Sequence, residues 1–478
     1  MSDCCAPAEK AGNGRYDLVV VGAGSAGFSA AITAAEQGAH VALIGHGTIG
    51  GTCVNIGCVP SKTLIRAAET VHHANSAPRF AGIEASGRVT DWAAQVAQKD
   101  ALVAGLRQAK YADLLPAYNT IIYREGAARL IEDGVAIGGD VLRSARVLIT
   151  TGARPSVPAI PGLAALNPLD STTALSLPRL PRSLIVIGGG YIGAELAQTF
   201  TRAGVAVTLV FRSRLLPAAE PEIGDALAGY LADEGIRIIG GIAYESVHPT
   251  DAGGSALTTI RNGRRETLRA DRLLIATGRT PNTENLSLAA VGVAQAPSGA
   301  IIVDDRMRTS KPGIYAAGDV TGRDQFVYMS AYGAKLAAKN ALNGDSLRYD
   351  NAAMPAVVFT DPQVASVGLT EAQARAAGHD VRTAVLTLDN VPRALAARDT
   401  RGLIKLVAER ATRKLLGAHI LAPEGADSIQ TAALALKGGL TIDDLAETIF
   451  PYLTTVEGLK LAAQTFDRDV AKLSCCAG

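Results

Sequence analysis

The stretch that decides the fold reads Tyr16-Asp-Leu-Val-Val-Val-Gly22-Ala-Gly24-Ser-Ala-Gly27. An apolar strand runs straight into a Gly-x-Gly-x-x-Gly turn, and an alanine-rich helical segment follows. In such a turn the first glycine makes the bend, the second lets the backbone approach a pyrophosphate, and the third lets helix and strand pack closely. With a further strand predicted over residues 40–44, the pattern indicates a βαβ unit that binds a dinucleotide at the N-terminus of its helix.

The same design recurs later in the chain, where an apolar strand over residues 183–187 leads into Gly188-Gly-Gly190-Tyr-Ile-Gly193. One glycine turn alone can serve packing. Two copies, each between a strand and a helix, predict two dinucleotide sites. Because the first copy directly precedes a pair of cysteines, we expect it to bind a flavin and the second copy to bind a nicotinamide nucleotide.

The end of the next strand in the second unit indicates which nucleotide binds. It reads Val210-Phe-Arg212-Ser-Arg214, where an NAD site normally places a carboxylate. Two arginines suit the 2′-phosphate of NADPH. The alternative is a pair of solvated arginines without a ligand, and the sequence favours NADPH.

Length and charge restrict the remaining possibilities. A chain of 478 residues predicts about three domains. With 46 basic and 45 acidic side chains there is no broad field to attract nucleic acid or an anionic membrane. The uncharged stretch over residues 18–35 contains the glycine turn and has no cleavage or stop-transfer pattern after it, so we expect a cytoplasmic protein without membrane insertion.

The cysteines indicate redox or soft-metal chemistry. A chain this long with six cysteines is not a disulfide scaffold. The six fall into three close pairs: Cys4 with Cys5, Cys53 with Cys58, and Cys475 with Cys476. Grouped thiols of this kind suit electron transfer or a soft metal ion.

The middle pair lies in the most specific motif, Gly50-Gly51-Thr52-Cys53-Val-Asn-Ile-Gly-Cys58-Val-Pro-Ser-Lys62. This segment resembles the redox-active disulfide of the pyridine nucleotide-disulfide oxidoreductases, flavoenzymes that reduce disulfides, dihydrolipoamide or mercuric ion. The resemblance extends from about Tyr16 to the C-terminus.

It implies FAD and NADPH as cofactors. The residues implied at the flavin are Gly22, Gly24, Gly27, Gly51, Thr52, Lys62, Thr151, Gly152 and Asp319. The residues implied at the nucleotide are Gly188, Gly190, Gly193, Arg212, Arg214 and Gly278.

The resemblance also implies catalytic roles. Cys58 is the thiolate that contacts the flavin, and Cys53 is the outer, exchanging thiol. Lys62, one helical turn after Cys58, pairs with Glu195 beside the flavin, although an exposed pair of charges is the alternative. Tyr191 covers the nicotinamide pocket.

One departure concerns the flavin unit. Members of the family usually end the second strand of this unit in an acid that holds the adenosine ribose. Here the sequence reads Ile44-Gly45-His46, without a carboxylate. Glu36 on the preceding helix is not an obvious substitute. The departure puts that single contact in doubt but not flavin binding.

A second departure concerns the substrate. Disulfide-reducing members have a His-Pro-Thr-x-x-Glu motif near the C-terminus as acid and base. Here Tyr452 replaces the histidine, Glu457 is kept, and the chain ends with Cys475 and Cys476. This combination resembles the mercuric-ion branch of the family. It implies Hg(II) as substrate, with Cys53, Cys58, Cys475 and Cys476 as metal ligands and Tyr452 and Tyr191 lining the pocket.

The resemblance implies two Rossmann-like dinucleotide-binding domains and a C-terminal α+β dimerisation domain. It also implies a homodimer in which each tail reaches the partner's site. The rival activities are a disulfide or dihydrolipoamide reductase and a thiol-rich metal-binding protein without turnover. Cys4 and Cys5 are either a capture site or a remnant. The predicted boundaries are a flexible tail (1–15), an FAD-binding domain (16–155), an NADPH-binding domain (156–280), a second FAD-binding part (281–350) and the dimerisation domain with its cysteine tail (351–478).

Overall fold

The computed structural model describes residues 15–251 and 253–472. The chain forms two compact units. The first holds the described residues up to Pro60, together with Gln98–Pro155 and Arg279–Asp350. The second holds Ser61–Ala97, Ser156–Gly278 and the described residues from Asn351 onward. Within the described ranges, no helix has both the length and the apolar character needed to span a membrane.

The described residues form 22 strands: β1 (Leu18–Val21), β2 (Val41–Gly45), β3 (Ile121–Glu125), β4 (Ala128–Ile131), β5 (Gly134–Ile137), β6 (Asp140–Arg143), β7 (Val147–Ile149), β8 (Ala153–Pro155), β9 (Ser183–Ile187), β10 (Ala206–Val210), β11 (Arg237–Ile239), β12 (Ala243–Pro249), β13 (Ser255–Arg261), β14 (Arg264–Ala270), β15 (Arg272–Ile275), β16 (Arg279–Pro281), β17 (Ile314–Ala316), β18 (Ala356–Val358), β19 (Gln363–Gly368), β20 (Val381–Thr387), β21 (Leu403–Glu409) and β22 (Leu415–Ala422).

The same part of the chain forms 13 α-helices: α1 (Ser25–Ala35), α2 (Gly51–Ile56), α3 (Cys58–Ser76), α4 (Trp92–Arg107), α5 (Ser171–Ala174), α6 (Tyr191–Arg202), α7 (Pro221–Asp233), α8 (Val327–Asn343), α9 (Glu371–Ala376), α10 (Pro392–Ala397), α11 (Gly425–Lys437), α12 (Ile442–Glu447) and α13 (Glu457–Gln464).

The first unit is built on a parallel sheet with strand order β17-β7-β1-β2-β3. Leu18 and Val20 of β1 pack into the core that α1 and α8 cover. Val19 and Val21 pack on the other face, against the small antiparallel sheet of β4, β5 and β6. A strand buried on both faces has no need of polar residues, which explains the continuous apolar run.

The second unit repeats this arrangement with a parallel sheet of order β11-β10-β9-β15. Leu184 and Val186 of β9 pack in the core that includes α6 and α7. Ile185 and Ile187 pack on the opposite face, against the antiparallel sheet of β12, β13 and β14. Each glycine turn therefore lies between a strand and a helix, as the sequence predicts, and the strand before it is an inner strand of a parallel sheet.

The second unit also contains an antiparallel sheet of order β18-β19-β22-β21-β20. Many of its apolar side chains, such as Val367, Ile404 and Ile420, share one core with α11, α12 and α13. The predicted fold class, two Rossmann-like domains and a C-terminal α+β domain, is confirmed. Element ends differ from the expectation by a residue or two; β2, for example, begins at Val41 rather than at residue 40.

Candidate active site

The first glycine turn requires glycine at two positions for steric reasons. Gly22 has a φ of +122°, and a Cβ there would lie 2.4 Å from the carbonyl oxygen of Thr150. A Cβ on Gly27 would lie 1.7 Å from the carbonyl oxygen of Gly22. Gly24 is the N-cap residue of α1 and has no side chain to occupy the helix end. The turn thus leaves the first N–H groups of α1 open to an anion.

The second glycine turn has the same geometry. Gly188 has a φ of +125°, and its Cβ would lie 2.3 Å from the carbonyl oxygen of Ala276. A Cβ on Gly193 would lie 1.9 Å from the carbonyl oxygen of Gly188. Gly190 is the N-cap residue of α6, with open space where a side chain would start. This turn also presents a helix N-terminus with room for a phosphate.

The cysteine motif packs against the first glycine turn. Gly51 has a φ of +67°, and its Cβ would lie 2.6 Å from the Cα of Gly24. The two backbones therefore touch, and helix α2, which begins at Gly51, starts beside the turn. Thr52 and Cys53 are the next residues of α2, which places them next to the expected pyrophosphate site.

Cys53 lies half-buried in α2, and the exposed Cys58 is the first residue of α3. Burial raises the pKa of the Tyr111 hydroxyl, and the two nearby thiols raise it further, so both sulfurs lie near this phenol. The Tyr111 and Ser25 hydroxyls are 3.2 Å apart. Because a helix N-terminus stabilises negative charge, the position of Cys58 favours its thiolate.

Lys62 and Glu195 form an ion pair, as the family resemblance implies. Lys62 Nζ is 2.6 Å from Glu195 Oε2. The second carboxylate oxygen, Oε1, accepts a hydrogen bond of 2.9 Å from the backbone N–H of Phe359. Lys62 Nζ also lies 4.7 Å from the centre of the Phe359 ring. The Glu195 side chain is only 7% exposed and the Lys62 side chain is 33% exposed, so the acid of this pair is buried and the lysine is partly covered.

A backbone clamp holds the segment that contains Phe359. Gln198 Nε2 donates to the carbonyl oxygen of Asp361 over 2.7 Å, and the Asp361 N–H donates to Gln198 Oε1 over 2.8 Å. Arg202, on the same face of α6, bonds Asp361 Oδ2 at 2.9 Å and Glu234 Oε1 at 2.6 Å. Sequence reasoning missed this clamp. Its signal was the polar spacing of residues 195, 198 and 202 on a helix that is otherwise mostly apolar.

A cleft of the second unit contains one of the two predicted arginines. It is lined by Arg214 and Ser213 from the segment after β10, and by Arg261 and Asn262 from the β13–β14 hairpin. Arg214 Nη2 also donates to two backbone carbonyls of the following loop, at 2.9 and 2.7 Å. Arg212 is exposed at the same strand end. Arg261 was not foreseen, because nothing in the local sequence predicts which turn lies beside β10.

Two family models match this chain. Residues 16–338 match the pyridine nucleotide-disulphide oxidoreductase model, and residues 354–463 match the dimerisation domain of the same family. The chain belongs to the pyridine nucleotide-disulphide oxidoreductase family. It is therefore an oxidoreductase of a family that uses a flavin and a pyridine nucleotide, and it has the family's dimerisation domain.

Two relatives from the same family share the name mercuric reductase. The mercuric reductase of Lysinibacillus sphaericus is 48% identical over 97% of this chain and 85% of its own length. The mercuric reductase of Streptomyces lividans is 47% identical over 97% of this chain and 98% of its own length. Among solved structures, the Cu(II) complex of the HOCl-induced flavoprotein disulfide reductase RclA from Escherichia coli is 32% identical. It has a TM-score of 0.84 and covers 94% of this chain and 99% of its own.

The Gly318-Asp319 segment fits the family's flavin. Burial raises the pKa of the Asp319 carboxyl, although Arg279 opposes the shift with its positive charge. Arg279 Nε lies 3.6 Å from Asp319 Oδ2, and this buried nitrogen has no hydrogen-bond partner among the described residues. A buried acid beside an unsatisfied donor suits a polar cofactor that bonds both.

Two Thr-Gly segments, Thr151-Gly152 and Thr277-Gly278, lie in different units. In the first unit Thr151 Oγ1 donates to the carbonyl oxygen of Asn282 over 2.7 Å, and the Asn282 N–H donates to the carbonyl oxygen of Gly152 over 3.0 Å. In the second unit Thr277 Oγ1 donates to the carbonyl oxygen of Ser156 over 3.1 Å. Gly152 and Gly278 both have positive φ, at 70° and 120°. Glycine lets these turns form where a side chain would be strained.

The two residues of the C-terminal motif, Tyr452 and Glu457, differ in their exposure to solvent. Tyr452, at the position of the usual histidine, is 50% exposed. Glu457 begins α13, is 7% exposed and accepts a hydrogen bond of 3.2 Å from the Leu453 N–H. Tyr191 begins α6, and burial raises the pKa of its hydroxyl. Tyr452 is thus half-exposed, while the Glu457 carboxylate is buried and bonded to the backbone.

The tail cysteines Cys475 and Cys476, like Cys4 and Cys5, lie outside the described residues. Across residues 15–251 and 253–472, three or more His, Cys, Asp or Glu side chains nowhere converge as a metal site. Cys53 and Cys58 are the predicted metal ligands that lie within these ranges.

Proposed function

We propose that the chain is a mercuric reductase, which uses NADPH and FAD to reduce thiol-bound Hg(II) to elemental mercury. The curated relatives carry this name. A cytoplasmic location and a homodimer whose tails reach the partner's site are part of the proposal.

The observation that carries the proposal is the missing acid-base histidine. Tyr452 stands where a disulfide reductase has its histidine, and His419 is the last histidine of the sequence. His419 is 1% exposed, and its Nε2 is 3.0 Å from the carbonyl oxygen of Leu369. Burial lowers the pKa of this imidazole. A neutral, enclosed histidine cannot protonate a leaving thiolate, so a disulfide substrate is poorly served.

Reduction of Hg(II) makes different demands on the protein. Thiolates are the ligands that a soft ion prefers, and the metal moves between them by ligand exchange without a proton donor. When bound, FAD would pass the two electrons of one NADPH to the disulfide of Cys53 and Cys58, which opens it to two thiols, and then the two electrons of a second NADPH to the Hg(II) that these cysteines hold. Each Hg(II) takes up the two electrons of one NADPH, leaves as Hg(0), and its thiolate ligands are released unchanged.

The residues of the chain have distinct tasks in this proposal. Cys475 and Cys476 take Hg(II) from an external thiol and pass it to Cys53 and Cys58. The helix N-terminus keeps Cys58 as thiolate, and Lys62 places a positive charge one turn further along the same helix. Glu195 and the Phe359 ring restrain that lysine. Tyr191 and Tyr452 line the pocket.

The test is NADPH oxidation with Hg(II) supplied as a complex with a small thiol. A mercuric reductase oxidises NADPH only when Hg(II) is present. A disulfide or dihydrolipoamide reductase needs its own substrate instead, and a thiol-rich binding protein takes up the metal without consuming nucleotide. Oxidation that depends on a disulfide and is indifferent to Hg(II) would overturn the proposal.

The shared site has its own test, a heterodimer of two inactive chains. One chain lacks the tail from residue 473 onward, and the other carries Cys58→Ala. With Hg(II) bound to bulky dithiols that cannot enter the pocket, each chain alone should be inactive. Mixed dimers should recover one working site of two, because the intact cysteine pair and the intact tail then meet. No recovery in the heterodimer would contradict the sharing.

A further inference from the structure

The first dinucleotide unit has no acid at the usual ribose position. In a unit of this kind, an Asp or Glu at the end of the second strand bonds the ribose hydroxyls. Here β2 ends at Gly45. Glu36 lies just past the C-terminal end of α1, about 16 Å from the helix N-terminus at 1.5 Å per residue, so it does not replace the missing acid.

A tyrosine from the neighbouring strand occupies the point where the side chain of that acid would start. A Cβ on Gly45 would lie 2.3 Å from the hydroxyl oxygen of Tyr123 and 2.9 Å from two of its ring atoms. The parallel register pairs Leu43 with Tyr123 and Gly45 with Glu125. Side chains at paired positions of neighbouring strands share a face, so the phenol extends along the sheet to the point where a side chain of residue 45 would start.

The local chemistry keeps this hydroxyl neutral. Burial raises the pKa of the Tyr123 hydroxyl, and the Glu125 carboxylate raises it further. A neutral phenol both donates and accepts one hydrogen bond, and a ribose hydroxyl does the same. Tyr123 therefore has the chemistry of a ribose partner at the place where the acid is missing.

We propose that Tyr123 replaces the missing acid and binds the adenosine ribose of the dinucleotide at the first glycine turn. Gly45 leaves room for the phenol, which a larger side chain at this position would displace. The proposal rests on the binding of FAD in the proposed function, and it concerns a contact with the cofactor rather than the reaction.

The first experiment measures the dissociation constant of FAD for the flavin-stripped protein by flavin fluorescence. Tyr123→Phe keeps the ring and loses the hydroxyl. It should weaken FAD binding about 2- to 12-fold, the range of the net contribution of one neutral hydrogen bond. The control is Tyr244→Phe, which removes a phenol of the second unit that donates to the carbonyl oxygen of Val210. The control should leave the FAD dissociation constant unchanged.

The second experiment restores an acid at position 45, with and without the tyrosine at position 123. Gly45→Glu alone should weaken FAD binding, because the new side chain collides with the phenol. In a Tyr123→Ala background the same change should tighten FAD binding, because the carboxylate regains the ribose. Where the alanine variant does not fold, Tyr123→Leu serves as the background.

The outcomes separate two failures. If Tyr123→Phe binds FAD as tightly as the wild type, or if Gly45→Glu weakens binding in both backgrounds, the role of Tyr123 is overturned while FAD binding stands. If the wild-type chain binds no FAD, the proposed function fails and this proposal fails with it.

Discussion

The two glycine turns are nearly identical in backbone, but the strands that come next in the chain end differently. The φ angles of their first glycines are +122° and +125°. In both turns a Cβ on the third glycine, Gly27 or Gly193, would overlap the carbonyl oxygen of the first. The next strand of the first unit ends in Gly45 beside a phenol. That of the second unit is followed by Arg212 and Arg214, and Arg214 lines a cleft with the β13–β14 hairpin. If the proposed function holds, the shared turn geometry serves phosphate binding, whereas the residues at the end of the next strand distinguish one dinucleotide from the other.

The largest expected effects come from a methyl group at the third glycine of each turn. Gly27→Ala should abolish flavin binding, because its Cβ would lie 1.7 Å from a carbonyl oxygen. Gly193→Ala, with a corresponding distance of 1.9 Å, should leave a yellow protein that NADPH no longer reduces. The measurements are the flavin content and the anaerobic bleaching of the flavin by NADPH.

Two helical glycines serve as controls for these variants. A Cβ on Gly105 or on Gly229 meets no atom within 4 Å. Alanine at either position should leave both flavin binding and flavin reduction by NADPH intact, since a helix accepts alanine more readily than glycine. If Gly27→Ala retained its flavin, the assignment of the first turn would be wrong.

Charge removal at the second strand end should have an intermediate effect. Arg212→Ala with Arg214→Ala should weaken NADPH binding by about 1.5–3 kcal/mol and NADH binding far less, because a charge-assisted bond to the 2′-phosphate is lost. Arg261→Ala should act in the same direction with a smaller loss. Arg264→Ala, at an exposed position of the same hairpin, is the control. Equal losses of binding free energy for NADPH and NADH would show that these arginines do not bind the 2′-phosphate.

The smallest effect is expected at the clamp on Asp361, and the first unit provides a matched control. Asn340 bonds both the N–H and the carbonyl of Leu347, as Gln198 bonds those of Asp361. Gln198→Met and Asn340→Leu should each lower the free energy of unfolding by about 2 kcal/mol, because buried backbone groups lose their partners.

Only Gln198→Met should also slow flavin reduction by NADPH, by a few-fold. Gln198 holds the segment around Asp361, and in that segment the Phe359 N–H donates to Glu195. In a Lys62→Met background this additional slowing should disappear. Equal reduction rates in the Gln198 and Asn340 variants would limit the clamp to a structural role.

Much of the fold was predictable because local pattern determined it. The strands β1 and β9 read as continuous apolar runs, and the glycine spacing located both turns. The pairing of Lys62 with Glu195 was expected from the family resemblance rather than from any local signal. Arg261, Phe359 and Tyr123 were not predictable, since each reaches its neighbours through the packing of elements distant in sequence. The empty place at Gly45 was visible in the sequence, but the phenol that fills it required the register of β2 and β3.

The most direct test of the central claim is the ratio of mercury vapour released to NADPH oxidised, measured without oxygen and with thiol-bound Hg(II). The wild-type chain should release one Hg(0) for each NADPH after the cysteine pair has been reduced. Cys53→Ser and Cys58→Ser should release none, although NADPH still reduces their flavin. NADPH consumption by the wild type without mercury vapour, or vapour from a chain that lacks Cys58, would contradict the claim.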